Sequence, residues 1–317
     1  MQSSTCTLET ADGVSLHTYR WLPDGAPRAS VQIVHGWAEH AARYARLAEA
    51  LCESGLAVYA HDLRGHGHTA RSEAELGFFA ERDGWERCVD DLSCIHQHIA
   101  AAQPGLPHLL LAHSLGSFMA QHFISEHGDR FAGVALSGTS GRPPAIARPG
   151  VLLARFERFR AGPHGKSKIL HKMFFEDQNR LFAPARTSFD WLSRDAAEVD
   201  KYIADPLCGF PSQVQAYLDV LHGLFEIARP ARQARIPKTL PLYIFHGSRD
   251  PVAANVRQLL TAYRAAGLQN VSYKAYADAR HETLNETNRA EVTRDLITWF
   301  EGVLKESSRL TVNCRGR

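Results

Sequence analysis

A chain of 317 residues, 44% hydrophobic and 22% charged with a formal net charge of +2, can bury a substantial core. The near-neutral balance excludes the broad electrostatic attraction that a nucleic-acid partner needs, and no apolar run is long enough to span a bilayer. Residues 1–15 show no basic start followed by an apolar stretch, and the six cysteines fall without a CxxC spacing, so reduced thiols in the cytoplasm are expected.

Two strands are predicted first, at 6–10 and 14–21, with Asp12-Gly13 as the hairpin turn between them. A short apolar strand at 30–34 ends on His35-Gly36, residues 41–54 carry helical spacing, and 56–60 is another strand. That strand runs into His61-Asp62-Leu63-Arg64-Gly65-His66-Gly67-His68. Its histidines cluster, but no carboxylate or cysteine stands at ligand spacing, and the glycines point to a shaped loop rather than a metal site. A helix is expected over 85–102, with Val89, Leu92, Ile95 and Ile99 on one face. Leu109, Leu110 and Leu111 then lead through Ala112-His113-Ser114-Leu115-Gly116 into a helix-compatible stretch. Further strands are predicted at 131–136, ending at Ser137-Gly138, at 240–245, ending at His246-Gly247, and at 271–276. A helix at 289–304 closes the pattern.

Strands alternating with helices predict an α/β fold, a mostly parallel sheet covered on both faces, with chemistry at the carboxyl ends of its strands. Between 141 and 236 strand-like runs vanish while proline, aromatic and basic residues accumulate. A helical cap inserted after the sixth strand is expected there, between core segments 1–140 and 237–317. An apolar stripe of Val214, Tyr217, Leu218, Leu221 and Phe225 marks one cap helix. In another, Leu152, Leu153, Phe156 and Phe159 lie opposite Arg155, Glu157, Arg158 and Arg160. Such a face suits transient contact with a membrane surface or burial inside the protein, and burial is the favoured expectation.

Small-x-Ser-x-Gly between a strand and a helix is the pattern of a nucleophile elbow, which lifts a hydroxyl clear of its backbone and aims helix N–H groups at a developing oxyanion. A capping serine in an ordinary turn is the alternative at Ser114. Asp250, before Pro251, reads as a turn former or as an orienting acid, and His281 as a surface-loop histidine or a base. The order serine, acid, histidine, each just after a predicted strand, favours the catalytic reading.

These segments carry a resemblance. With His35-Gly36-Trp37-Ala38-Glu39-His40, Arg43-Tyr44, the His61–Gly67 loop, Gly247-Ser248-Arg249-Asp250-Pro251-Val252 and His281-Glu282, the chain resembles α/β-hydrolases of the monoacylglycerol lipase and lysophospholipase group over residues 8–304. The resemblance implies a serine hydrolase without cofactor or metal, with Ser114 as nucleophile, His281 as general base and acid, and Asp250 orienting the imidazole. It implies an oxyanion hole from the backbone N–H groups of Trp37 and Leu115. Its substrate would be a small lipid ester, a monoacylglycerol or lysophospholipid. Glu39, Arg43 and Cys208 are candidate substrate contacts, a surface ion pair being the alternative for Glu39 and Arg43. Leu284 stands where relatives of the animal enzyme can carry a second histidine, which weakens the case for glycerol. The alternatives are a short-chain carboxylesterase, an acyltransferase or an aminopeptidase on the same triad, or a non-catalytic binding module.

Overall fold

The computed structural model describes residues 1–143 and 145–315, with side chains through residue 309. Eight strands form one sheet: β1 (Gln2–Glu9), β2 (Ser15–Leu22), β3 (Ala29–Val34), β4 (Leu56–His61), β5 (His108–His113), β6 (Gly133–Ser137), β7 (Leu242–Gly247) and β8 (Val271–Tyr276). Their spatial order is β1-β2-β4-β3-β5-β6-β7-β8. The β1–β2 ribbon and its junction with β4 are antiparallel, and every later pair is parallel. The expected hairpin forms as read: Gly13 takes φ +80°, and the N–H of Thr10 donates to the carbonyl of Val14 at 2.9 Å.

Strands β3, β4 and β7 are buried along their whole length, as parallel strands with helices on both faces must be. On one face Trp85 of α2 (Gly84–Ala102), Phe123 of α3 (Leu115–His127) and Leu259 of α9 (Val256–Ala265) pack on Leu110, Val134 and Ile244. On the other, Leu47 and Leu51 of α1 (Ala45–Glu53) and Leu296 and Phe300 of α10 (Arg289–Arg315) cover Ile33, Leu111 and Phe245. The closing helix therefore continues past the predicted residue 304. Cys6, Cys52, Cys88, Cys94 and Cys208 are free thiols, and Cys314 lies outside the described side chains.

Between β6 and β7 the described residues form helices and no strand of the sheet: α4 (Ala147–Ala161), α5 (Lys168–Phe174), α6 (Ala196–Ala204), α7 (Val214–Ile227) and the short α8 (Pro230–Gln233). Val214, Tyr217 and Leu221 of α7 are buried as the periodicity predicts. The favoured burial of the α4 apolar face is overturned for Leu152, Phe156 and Phe159, while Leu153 is half-buried against the neighbouring hydrophobic cluster. Leu152 is 66% exposed, Phe156 58% and Phe159 90%, while Ala147, Gly150, Ala154 and Glu157 face inward. Helix α4 lies against α7, and the buried Glu157 keeps a partner in Arg160 at 2.7 Å. The large apolar side chains are left to solvent.

The histidine-rich loop is built as a support. Gly65 and Gly67 adopt φ +66° and +48°, and a Cβ on Gly67 would lie 2.2 Å from Asp62 Oδ2. Asp62 in turn accepts from the N–H of Ala41 at 2.8 Å, and His35 Nε2 accepts from the N–H of Leu63 at 2.9 Å, so the two loops are locked together. The Thr69 hydroxyl donates to the Asp62 carbonyl at 2.7 Å.

Candidate active site

Three strand ends converge above the sheet. Ser114 follows β5 at φ 50°, ψ −120°, a strained backbone for a residue with a side chain, and α3 begins at the next residue. Two close approaches hold this turn. The Ser114 N–H donates to the Ser137 carbonyl at 2.9 Å, and a Cβ on Gly116 would stand 2.4 Å from the carbonyl oxygen of His35. Only glycine at 116 lets α3 start against the end of β3. Ala112, the departure from the usual first glycine, is fully buried in the core.

His281 Nε2 lies 2.8 Å from Ser114 Oγ, and His281 Nδ1 lies 2.9 Å from Asp250 Oδ1. Asp250 Oδ1 also accepts from the N–H of Val252 at 2.9 Å, so the turn before Pro251 aims the carboxylate at the ring. The ring is fixed from two sides. Its centroid is 5.0 Å from that of Trp191 and 4.8 Å from that of His113. Beneath it Gly138 has φ +57°, and a Cβ there would come within 2.9 Å of His281 Cε1. Burial alone would push His281 below its ordinary value, but the charge and hydrogen bond of Asp250, with Glu282 and Glu39 behind, hold it above. His113, buried and facing His281, is pushed down to about 4 and stays neutral.

Trp37 and Leu115 line the cavity beside Ser114, and neither N–H is taken by a protein acceptor among the described residues. The cavity holds about 350 Å³, walled by Phe118, Phe174, Phe175, Leu192, Val220 and Leu224, with Arg142 and Pro143 at one side.

Of the three substrate candidates, Glu39 borders this cavity, whereas Arg43 and Cys208 stand behind its wall. Glu39 and Arg43 do not form a surface pair. Arg43 donates to Glu39 at 2.5 Å and grips both oxygens of Glu282 at 2.8 and 2.7 Å, all three side chains being buried. Glu39 also accepts from the N–H of Gly36 at 2.6 Å and from the hydroxyl of Tyr44 at 3.0 Å. It thus shapes the turn that presents Trp37, while Arg43 ties that turn to the residue after His281. Sequence reading passed over Glu282, His113, Gly138 and Trp191. A carboxylate next to the histidine and a glycine ending β6 were the visible hints; Trp191, in the cap, left none.

Residues 190–195 are fastened to the His281 loop. The N–H groups of His281 and Glu282 donate to the carbonyls of Trp191 and Leu192 at 3.3 and 2.7 Å, and Arg194 pairs with the buried Glu286 at 2.9 Å. Among the described residues, His61, His66 and His68 belong to no cluster of ligand side chains, whereas His40, Asp205 and Cys208 form a group that could hold a metal ion.

Comparison with known proteins agrees with this architecture. A monoacylglycerol lipase of Mycolicibacterium smegmatis is 30% identical over 88% of this chain and 90% of that protein. A Homo sapiens monoglyceride lipase is 32% identical over 86% and 82%. The crystal structure of a highly thermostable carboxyl esterase from Bacillus coagulans, in complex with glycerol, superposes with a TM-score of 0.88 at 25% identity, covering 96% of this chain and 99% of that one. Residues 25–288 match the family described as serine aminopeptidase, S33, so the chain belongs to that family of α/β-hydrolases.

Proposed function

We propose that this protein hydrolyses carboxylic esters of lipids, with a medium or long acyl chain and a small alcohol, through an acyl-enzyme on Ser114. The observation that carries the reading is the Ser114–His281–Asp250 relay, at 2.8 and 2.9 Å, opening into a cavity walled by apolar side chains. Monoacylglycerol is the first substrate to test, because both curated relatives above are named for it.

Ser114 Oγ attacks the ester carbonyl as His281 Nε2 takes its proton. Asp250 keeps the proton of Nδ1 in place and balances the imidazolium. The N–H groups of Trp37 and Leu115 bind the oxyanion, each worth about 10²–10³ in kcat. The alcohol leaves with the proton from Nε2. Water then attacks the acyl-enzyme, with His281 again as base, and the fatty acid is released.

The acyl reading is preferred over a peptide substrate for a stated reason. An amino terminus needs an unpaired carboxylate, and both carboxylates at the cavity wall, Glu39 and Glu282, are already bonded to the Arg43 guanidinium. Residues 141–236 serve as the cap, and the exposed Leu152, Phe156 and Phe159 are available to touch the lipid surface that holds such substrates. A fluorophosphonate probe, with a panel of monoacylglycerols, lysophosphatidylcholines, nitrophenyl esters and amino-acid amides, tests the proposal. Labelling is expected in the wild type and absent in Ser114→Ala, whose turnover falls about 10⁶-fold. Faster cleavage of amides than of every ester would refute it.

A further inference from the structure

A second group of reactive side chains lies outside the catalytic relay, where the cap meets the loop that carries Trp37. His40 ends that loop. Asp205 and Cys208 stand at the two ends of the turn that follows α6. One ligand atom from each of the three lies within 4.8 Å of the others. His40 and Cys208 are buried and Asp205 is half-buried. His40 Nε2 is 2.8 Å from Asp205 Oδ2, whereas its Nδ1 is buried with no partner, leaving bonding capacity of this ring unused. Backbone fixes the presentation: the Leu207 N–H donates to Asp205 Oδ1 at 2.9 Å, and the Cys208 N–H to the Asp205 carbonyl at 3.0 Å. The surrounding charge favours a cation, since Arg43 is matched by two carboxylates and Asp205 adds a third.

We propose that His40, Asp205 and Cys208 form a zinc site that staples the cap to the core and lowers turnover when filled. Imidazole nitrogen, carboxylate oxygen and thiolate sulfur together suit zinc, with a water in the fourth position, whereas magnesium and calcium prefer oxygen alone. The ion displaces the proton of the Cys208 thiol to solvent and takes the place of the proton shared by His40 and Asp205. Ligand atoms around tetrahedral zinc sit about 3.5 Å apart, so filling the site parts His40 and Asp205 slightly, brings Cys208 into bonding contact and ties the turn to the loop through the ion. That turn already holds the loop: the Gly209 N–H and the Tyr202 hydroxyl donate to the Ala38 carbonyl at 2.9 and 2.8 Å. Ala38 follows Trp37. Zinc therefore restrains the cap at the edge of the cavity, slowing entry of ester and exit of product.

The test is equilibrium dialysis of the metal-free full chain against zinc chloride, beside Cys208→Ser and His40→Gln. One zinc per chain is expected in the wild type, with affinity at least about tenfold weaker in each variant. Cobalt in place of zinc should give a thiolate-to-metal absorption band that Cys208→Ser lacks. Zinc should slow hydrolysis of a soluble nitrophenyl ester in the wild type, reversibly with EDTA, and leave Cys208→Ser unaffected. Absence of stoichiometric zinc, or equal binding by Cys208→Ser, overturns the site. Binding with unchanged turnover overturns the regulation. The binding and cobalt readouts need no catalysis, so they stand apart from the ester-hydrolase reading, and Cys208→Ser, a single-atom change, guards against misfolding of the histidine variant.

Discussion

The two flanks of the cap are built for opposite purposes. Residues 190–195 are tied to the core through the carbonyls of Trp191 and Leu192, the Arg194–Glu286 pair, and the Arg280 guanidinium on the carbonyls of Asp190 and Ser193. Those bonds end on the loop carrying His281, so this flank holds the imidazole in register with Ser114. Elsewhere between β6 and β7, Ile146, Leu152, Phe156, Phe159 and Ile169 stand in solvent, each more than half exposed. Apolar side chains that find no neighbour within the chain contribute nothing to its core and gain from any lipid surface they meet. One flank is held by bonds of the kind a positioned relay requires, and the other presents an apolar face to solvent.

The largest expected effect sharpens the anchored side. Asp250→Asn should lower kcat by about 10⁴-fold by favouring the wrong imidazole tautomer. The pH profile checks the cause. His281 must be neutral to act as base, and its value is raised, so kcat/KM in the wild type should climb with pH through a limb above 6.5. In the variant the charge that raises it is gone and burial remains, so the residual limb should move to lower pH.

Arg43→Met is the next largest. It leaves Glu39 and Glu282 facing each other, buried and unpaired, and should destabilise the fold by about 3–5 kcal/mol in urea titration. A loss below 1 kcal/mol would mean that this triad does not hold the two loops together. The smallest effect is expected on the open flank. Phe156→Ser with Phe159→Ser should change stability by no more than about 0.5 kcal/mol. It should spare hydrolysis of a soluble nitrophenyl ester while reducing hydrolysis of monoacylglycerol in vesicles. Equal loss on both substrates would erase the distinction between the flanks.

The inner strands β3 to β7 lie within two residues or so of the apolar runs that mark them, because a strand buried on both faces has to be apolar at nearly every position, whereas the exposed, polar β1 starts at Gln2, ahead of the expected residue 6. Ser114, Asp250 and His281 were legible for a related reason. Each sits within a few residues of a strand's carboxyl end, so local pattern and chain order carry their positions. The Glu39–Arg43–Glu282 knot was not legible, since its bonds join residues 239 positions apart and the place of Glu282 beside His281 does not say which cation it meets. Helix α4 misled for the opposite reason. Its large apolar residues share a face, but the face buried in the structure carries Ala147, Gly150, Ala154 and Glu157, an outcome set by contacts with α7 and not by hydrophobicity along the helix.

Sequence by itself determined the sheet, the turn at Ser114 and the order of the relay, all properties of short segments. Tertiary structure decided which cap face meets water, which residues brace the imidazole, and which cysteine meets a histidine and a carboxylate. Those outcomes depend on contacts between distant segments, and no local pattern encodes them.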